Sequence, residues 1–580
     1  MLRLLGNLRL AGATARTHVK DDPVILAIQV SRRLPPGLVR RLAGTIGSSA
    51  GDRGSRLPVV RALAAHLLGR ASGVESILCS ALDAGISARS ARRLADVALA
   101  AGMLDEAAAL LARAGSGAGT AGQRARRRWY DGDMSGAVGV LNEAGRHHHA
   151  ERLAGEVRVY EGWTPSVPGV SGYTPRGRTV LHLLTNSLPH TGSGYAQRTH
   201  SLLKAQAEAG WTVHAATRIG YPVQVGKLFA ADVDVIDGVT YHRLLPVPMS
   251  RGFDERLQQQ ADELLRLALD LEPSVLHATT PFTNGIVVEQ VGRALGIPWV
   301  YEARGQLADT WASTRPAYVK ASERYRLFTD REAQVMRNAS LVVTLGEAMR
   351  QGIVRNGVPE DKILLSPNAV GDEYLDDPLP PAEARRSLGL PGTGVFVGTV
   401  SSLVDYEGLD TLLRAVALLA PARPDLHCLI VGDGAAAASL TSLALELGIA
   451  SRVTFTGRVP RHQARSYHQA LDIFVVPRRD LDVTSAVTPL KPVEAMACGR
   501  AVVASDLPAL REIVTDGVTG LLVEPESPDA LAKAIARLLD DPSERSGLGT
   551  HGRAQALATR VWSHNAAELS DAYRLLEATS

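Results

Sequence analysis

From Val59 to about Trp163 apolar residues recur at three- and four-residue spacing through an Ala-, Leu- and Arg-rich stretch. That spacing is the period of an amphipathic helix, and no two-residue alternation interrupts it. An all-helical region is predicted. Within it Ala100–Ala107 (AAGMLDEA) and Tyr130–Ala137 (YDGDMSGA) look alike. In each, a glycine ends one helix, an aspartate is placed to cap the next, and an alanine permits close packing. Residues 1–163 are therefore expected to form helical hairpins of a tetratricopeptide-like kind, a unit that commonly serves as a docking surface.

Thr164–Arg178 (TPSVPGVSGYTPRGR) is rich in Pro, Gly and Ser and reads as a linker. Beyond it the pattern changes to short apolar runs alternating with helical segments. Thr179–Leu184 suits a buried parallel strand; it leads into Thr191-Gly192-Ser193-Gly194-Tyr195, a helix over Ala196–Ala209 and a strand over Thr212–Ala216. A strand, glycine loop, helix and strand in that order open a Rossmann-like domain, in which glycines let backbone N–H groups approach an anion. Further strands are expected at Val275–Ala278, Trp299–Glu302, Leu341–Thr344 and Lys362–Ser366. After Asp376-Asp377-Pro378-Leu379-Pro380-Pro381 the pattern restarts, with strands at Val395–Val400, His427–Val431, Val453–Phe455, Ile473–Val476, Ala501–Ala504 and Leu521–Val523. Two α/β halves joined by a Pro-rich segment place a cleft between them, and ligand sites in such sheets lie at the carboxyl ends of the strands.

Composition narrows the class. Of 580 residues, 45% are hydrophobic and 21% charged, which excludes a wholly disordered chain; aromatics are only 4%, so the cores must be built from Ala, Leu and Val. The net charge of +3 hides an asymmetry: residues 1–160 carry +10 and the remainder −7. A basic front could meet nucleic acid, an anionic membrane or a protein. No zinc-finger spacing or aromatic-interleaved basic stripe supports nucleic acid, so a protein or the anionic membrane surface is the expected partner of residues 1–160. The run Arg124, Arg126, Arg127, Arg128 reads as a solvated helix face. His147-His148-His149 is not expected to hold a metal, because adjacent helical residues point about 100° apart. Cys79, Cys428 and Cys498 form no CxxC pair, which fits a reducing compartment. No apolar run is long enough to span a membrane, and the N-terminus lacks a continuous apolar signal segment. The expected location is cytoplasmic, with peripheral contact at the inner membrane face left open.

The motifs carry a resemblance. GSGYAQRTHSLLKAQAEAGWTVHAAT, then PFTNG and YEARG, then SPNAV, LIVGDG and VTFTGRVP, and finally TPLKPVEAMACGRAVVASDLPALREIV with DGVTGLLV together resemble retaining glycosyltransferases of family four, with the GT-B fold, over roughly Arg178–Ser580. The resemblance implies two Rossmann-like domains facing a cleft, preceded here by the all-α region. The first spans residues 179–375 and holds the acceptor; the second spans 376–555 and holds a nucleotide-sugar. A last helix over 556–580 is expected to cross back toward the first half. It further implies that Glu494 accepts from the ribose hydroxyls, that N–H groups near Leu490 and Lys491 face the diphosphate, that Gly457-Arg458-Val459 lies along the base, and that Gly192 and Gly194 let the first loop approach the phosphates.

Three departures accompany the resemblance. The family has two glutamates separated by seven residues, but the position eight before Glu494 is Ala486. The family's phosphate-binding Arg and Lys fall on Ser402 and Glu407, and its histidine after the fourth strand of the first half falls on Glu302. A carboxylate cannot replace Lys beside a diphosphate, so Glu407 must point away or bind another group. Lys491 and Arg304 are the expected replacement cations, and Glu302 a polar group near the transferred sugar or the acceptor. Asp480-Leu481-Asp482 has metal-site spacing in an Arg-rich loop and reads as solvated. The implied activity is metal-independent, cofactor-free retaining transfer of a sugar from a nucleotide-sugar to a glycan, a lipid-linked sugar or a small molecule, as in polysaccharide biosynthesis. A catalytically impaired scaffold acting through its helical front is the alternative, and an epimerase or phosphorylase on the same fold fits the TPLKPVEAMACG segment less well.

Overall fold

The computed structural model describes residues 2–21, 28, 58–115 and 117–579. The parts of the expected helical region at residues 22–27 and 29–57 lie outside the described residues. From residue 58 to 161 seven helices follow one another, Pro58–Leu67, Ala71–Asp83, Ala88–Ala101, Leu104–Ala114, Ala121–Asp131, Met134–Glu143 and His147–Glu161. Small alanines let them pack closely: Ala91, Ala95, Ala98 and Ala107 are buried with Leu78, Leu94 and Leu110 in one cluster. The two look-alike turns differ in their caps. Gly102 and Gly132 both end a helix in the left-handed conformation (φ 76° and 86°), and the Asp133 carboxylate accepts from the Gly136 N–H at 2.8 Å. In the first copy the cap is Met103, and Asp105 sits inside the first turn, where the helix dipole favours an acid.

Residues 164–175 are a strap rather than a free spacer, and residues 176–178 of the expected linker already belong to the first strand. Trp163, Val167, Val170 and Tyr173 pack on the core of the first α/β half. The Val170 N–H donates to the Ala294 carbonyl at 2.8 Å, and the Tyr173 hydroxyl to the Pro273 carbonyl at 2.8 Å. Four apolar side chains in a Pro- and Gly-rich stretch are enough to bind it down.

The first sheet has eight strands in the order β3-β4-β2-β1-β5-β6-β7-β8. They are β1 (Arg176–Leu184), β2 (Thr212–Thr217), β3 (Val233–Ile236), β4 (Val239–Arg243), β5 (Pro273–Thr279), β6 (Trp299–Ala303), β7 (Leu341–Thr344) and β8 (Ile363–Leu365). All pairs are parallel except β3 with β4, a hairpin absent from the sequence reading. Its turn is Asp237-Gly238, both at positive φ (48° and 80°), the dipeptide such turns favour. The second sheet is wholly parallel, in the order β11-β10-β9-β12-β13-β14: β9 (Val395–Val400), β10 (Leu426–Val431), β11 (Val453–Gly457), β12 (Ile473–Val476), β13 (Ala501–Ser505) and β14 (Leu521–Val523). Strands buried on both faces read as continuous apolar runs, which is why they were legible.

Two terminal helices pack on the first half. Helix Trp562–Thr579 leaves the second half and returns: Trp562, Ala566, Leu569 and Tyr573 are buried with Leu202, Leu203 and Val275. Helix Leu2–Asp21 also docks there. Leu10 packs with Val223, Ala230 and Leu245, and the Asn7 amide donates to the carbonyls of Leu228 and Ala230, both at 2.9 Å. The two halves touch directly. The Asn368 amide donates to the Thr488 carbonyl at 2.8 Å, and short helix Asp482–Ala486 lies against helices Leu307–Ala312 and Glu347–Arg355. The Glu512 carboxylate of the second half accepts from the N–H groups of Glu347 (2.8 Å) and Ala348 (2.7 Å), capping a helix of the first.

Candidate functional site

On the first half, β1 runs into a loop and then helix Gly194–Glu208, whose first turn is capped by the Ser193 hydroxyl accepting from the Ala196 N–H at 3.3 Å. A Cβ added to Gly194 would project into open space, and one on Gly192 would meet only Gln197 Nε2 at 3.8 Å. These glycines are not needed for internal packing. Two glycines after β10 of the second half are: a side chain on Gly432 would collide with the Ser401 carbonyl, and one on Gly434 with that of Leu403.

At the carboxyl end of β6, Glu302 is fully buried. Its carboxylate accepts from Arg198 Nε at 3.1 Å and Nη2 at 2.9 Å, and from Arg304 Nη2 in a close pair; His277 Nε2 lies 3.3 Å away. Burial alone would raise the Glu302 carboxyl, but Arg304 and then Arg198 outweigh it and hold it well below the usual range. His277 and the His182 ring stacked on it at 4.5 Å are pushed below the ordinary imidazole value, chiefly by burial, and stay neutral. Two guanidinium groups thus share one carboxylate, leaving a surplus of one positive charge. Arg304 also donates to the Thr199 hydroxyl, while its Nε has no partner among the described residues. Arg304 was expected to project into the cleft as a free cation. At 3% exposure it is instead locked among Glu302, Thr199 and the Tyr195 carbonyl, because the buried carboxylate two residues earlier demands it.

On the second half, Glu494 is buried in the short helix Lys491–Ala497. Lys491 Nζ donates to its carboxylate at 2.8 Å, and His468 Nε2 stands 3.2 Å away. Burial opposes ionisation, yet Lys491 and His468 hold this carboxyl well below its ordinary value. Leu490 provides the carbonyl that accepts the first intrahelical bond, from the Glu494 N–H at 3.2 Å, so the N–H groups of Leu490 and Lys491 precede the ladder. Glu494 lines a cavity of about 940 Å³ with Tyr374, Arg461, Arg465 and Gln469. It also lines a narrow space shared with Gln197 and Arg198 of the first half. Arg458 (exposed) and Val459 (half-buried) follow the end of β11.

Glu407 does bind another group. It forms a two-point pair with Arg478, at 2.8 Å to Nη2 and 3.2 Å to Nε, and Arg478 Nη1 donates to the Val487 carbonyl at 3.0 Å. Arg478 follows β12 and acts electrostatically, as Arg304 does, on Tyr195 of the opposite half. Sequence reasoning passed over it; its signal was an arginine two residues past the carboxyl end of a strand. The structure thus joins Glu302 with Arg304 and Lys491 with Glu494, each within its own half, and no described contact joins Lys491 to Arg304. Ala486, where the family's first glutamate is absent, packs on the core of the first half. Asp482 of the Asp-Leu-Asp segment pairs with Lys320 across the cleft, and Asp480 accepts from the Ser485 hydroxyl. Among the described residues no group of three or more His, Cys, Asp or Glu side chains could hold a metal ion, the three histidines 147–149 included.

Comparison with known proteins finds two family models in tandem on these two halves. Residues 193–369 match the Glycosyl transferase 4-like domain, and residues 382–555 match Glycosyl transferases group 1. The two α/β halves carry these two glycosyltransferase domains. The matches leave the helical front uncovered. A GDP-mannose-dependent alpha-(1-6)-phosphatidylinositol monomannoside mannosyltransferase of Mycolicibacterium smegmatis is 35% identical over 36% of this chain and 54% of its own. A D-inositol 3-phosphate glycosyltransferase of Stackebrandtia nassauensis is 28% identical over 69% of this chain and 91% of its own. The chain spans little more than half the length of the first of these relatives. Among solved structures, a sucrose-phosphate synthase from Thermosynechococcus elongatus superposes with a TM-score of 0.58 at 25% identity, over 69% of this chain and all of that one. Anabaena HepE in complex with UDP, at 17% identity and a TM-score of 0.54 over 68% of this chain and 99% of that one, shares the fold. No helix among the described residues is long and apolar enough to cross a membrane.

Proposed function

We propose that the chain transfers a sugar from a nucleotide-diphosphate sugar to an acceptor, with retention at the anomeric carbon and without a metal ion. The observation that carries this reading is the buried Glu494 carboxylate, paired with Lys491, which lines both the large cavity of the second half and the narrow space shared with Gln197 and Arg198 of the first. A carboxylate with depressed pKa stays ionised and can accept from two vicinal ribose hydroxyls. Lys491, one-third exposed, can turn from Glu494 to the diphosphate once the hydroxyls take its place. The leaving diphosphate gains negative charge as the glycosidic bond breaks. Preorganised cations stabilise that charge, and here they are Lys491 on one side with the surplus charge of the Arg198–Glu302–Arg304 cluster on the other. Arg304 therefore acts from behind the Gly192–Gly194 loop rather than as a free side chain, and Arg458 and Val459 flank the base. The departing phosphate can itself accept the proton of the acceptor hydroxyl, so no protein base is required. Relatives named for phosphatidylinositol mannoside and inositol phosphate support a polyol or glycolipid acceptor.

Titration of UDP- and GDP-sugars into the protein and into Lys491→Ala tests the reading. Affinity should fall about tenfold or more, the loss expected for one charge-assisted contact of about 1.4 kcal/mol or greater. Unchanged affinity in the variant sinks the assignment of Lys491. Absence of any donor binding to the unmodified chain would favour the scaffold reading, which Glu407 and Ala486 motivate.

A further inference from the structure

At the carboxyl edge of the first sheet, three segments far apart in sequence converge: helix Leu2–Asp21, helix His147–Glu161 and residues 249–256 beyond β4. They enclose a cavity of about 370 Å³ whose walls include Arg16, Arg152, Arg251, Arg256, Phe253 and, as the one acid among the described lining residues, Glu156. Arg218, directly after β2, stands close enough to repel Arg256, and its buried Nε has no hydrogen-bond partner among the described residues.

Among the described residues no ion pair joins Arg16, Arg218, Arg251 or Arg256 to a carboxylate. The nearby Glu255 is engaged with the Gly252 N–H at 3.1 Å, and Asp254 with Arg158 at 2.6 Å. Glu156 is a weak counter-ion: burial raises its carboxyl above the ordinary value despite Arg324, Arg256 and Arg152, and its closest cation, Arg324, stands 3.8 Å away. Arg256 is held below its usual value, first by burial, with Arg152 and Arg218 adding repulsion against the pull of Glu156. Half-buried Arg152 and Arg256 gather like charge beside the exposed Arg16 and Arg251, and such charges repel unless an anion joins them. Guanidinium forks match the oxygens of a phosphate two at a time, and several forks suit a group carrying more than one negative charge. The volume falls within the range of about 300–1,000 Å³ typical of small-ligand sites.

We propose that this arginine cage binds a phosphate group carried by the acceptor, and that the helical front and the N-terminal helix exist in part to complete it. The word acceptor rests on the transferase reading; the phosphate site itself does not. Arg218 follows β2 at the same carboxyl edge of the parallel sheet as Glu302 and Arg304, the edge toward which an acceptor held by its phosphate would extend. A lipid headgroup and a soluble phosphomonoester present the same chemistry.

Two probes separate them: glycerol 3-phosphate, against glycerol, and vesicles of phosphatidylglycerol, against phosphatidylcholine. Both are titrated into the full chain, into the double variant Arg16→Gln, Arg251→Gln, whose side chains are exposed, and into Glu156→Gln. Binding of either anionic probe is expected, weakened about tenfold or more in the double variant and tightened about threefold when the lone carboxylate is neutralised. Opposite signs distinguish a binding site from general loss of structure. Binding to vesicles alone assigns the lipid headgroup, and binding to the soluble probe assigns a free phosphate. Failure to bind both probes, or equal affinity in all three proteins, overturns the cage. Nucleotide-sugar titration of the same samples keeps the two proposals apart. If the phosphate probes bind and no donor does, the transferase reading fails and the cage stands; the reverse result removes the cage alone.

Discussion

Replacing Glu302 with Gln leaves the shape of the first half intact and removes the only carboxylate shared by Arg198 and Arg304. Both guanidinium groups are 3% exposed, so neither can turn to water. Breaking a buried ion pair by removing one partner costs about 3–5 kcal/mol, because an uncompensated charge remains. Arg198 keeps acceptors in the Ser366 carbonyl (2.7 Å) and Asn368 (3.2 Å), which places the loss toward the lower end. At roughly 2–4 °C per kcal/mol for a domain of this size, the unfolding midpoint should drop on the order of 10 °C at pH 7. The sign of the pH dependence follows from the depressed carboxyl. Its stabilisation is complete above the unfolded value, near 4.5, and is lost as pH falls toward the folded value. The gap between the two proteins should therefore stay constant from pH 6 to 8 and narrow below about 4.5. Scanning calorimetry across that range supplies the measurement. Adding Arg304→Met to Glu302→Gln removes one orphaned cation and should recover about 1–2 kcal/mol. A midpoint within 2 °C of the unmodified protein at pH 7, or a double variant less stable than the single one, refutes the reasoning.

Two further outcomes test the frame around the site. A side chain on Gly346 would collide with the Glu512 carboxylate, so Gly346→Ala should break the cap on helix Glu347–Arg355. A loss of about 1–2 kcal/mol and a larger radius of gyration by solution scattering are expected, with Glu512→Ala giving the same change; an unaltered radius in both argues against this contact holding the halves together. Glu332, which accepts from the Tyr301 hydroxyl at 2.8 Å, has its carboxyl raised to about 7, chiefly by burial. A raised folded value means stability present at low pH and lost as pH rises through about 7. Between pH 6 and 8 that loss is about 1.4 kcal/mol, and it should vanish in Glu332→Gln; denaturant titrations at the two pH values read it directly.

The sheets were legible because their strands are buried on both faces and read as apolar runs bounded by glycine and proline. The hairpin of β3 and β4 was not: Val233 and Val235 are exposed, so no apolar run marks the first strand. The motif around Glu494 was legible for a different reason, since Lys491 and Glu494 lie one helical turn apart and adjacency in sequence already means adjacency in space. Arg304 was found for the wrong geometry. Its neighbour in sequence, Glu302, is also its partner, but the burial that locks both comes from helices Gly194–Glu208 and Trp562–Thr579.

By itself the sequence determined two α/β units behind a basic helical front, because periodicity and strand burial are local properties. It also placed the segment that carries Glu494. Only the tertiary structure decided which charges meet. Glu302 and Arg198 are 104 positions apart, Glu407 and Arg478 are 71, and the arginine cage draws on three separate segments. A charged side chain has no preferred neighbour until folding strips its water, and which counter-charge stands within reach then depends on how the layers pack.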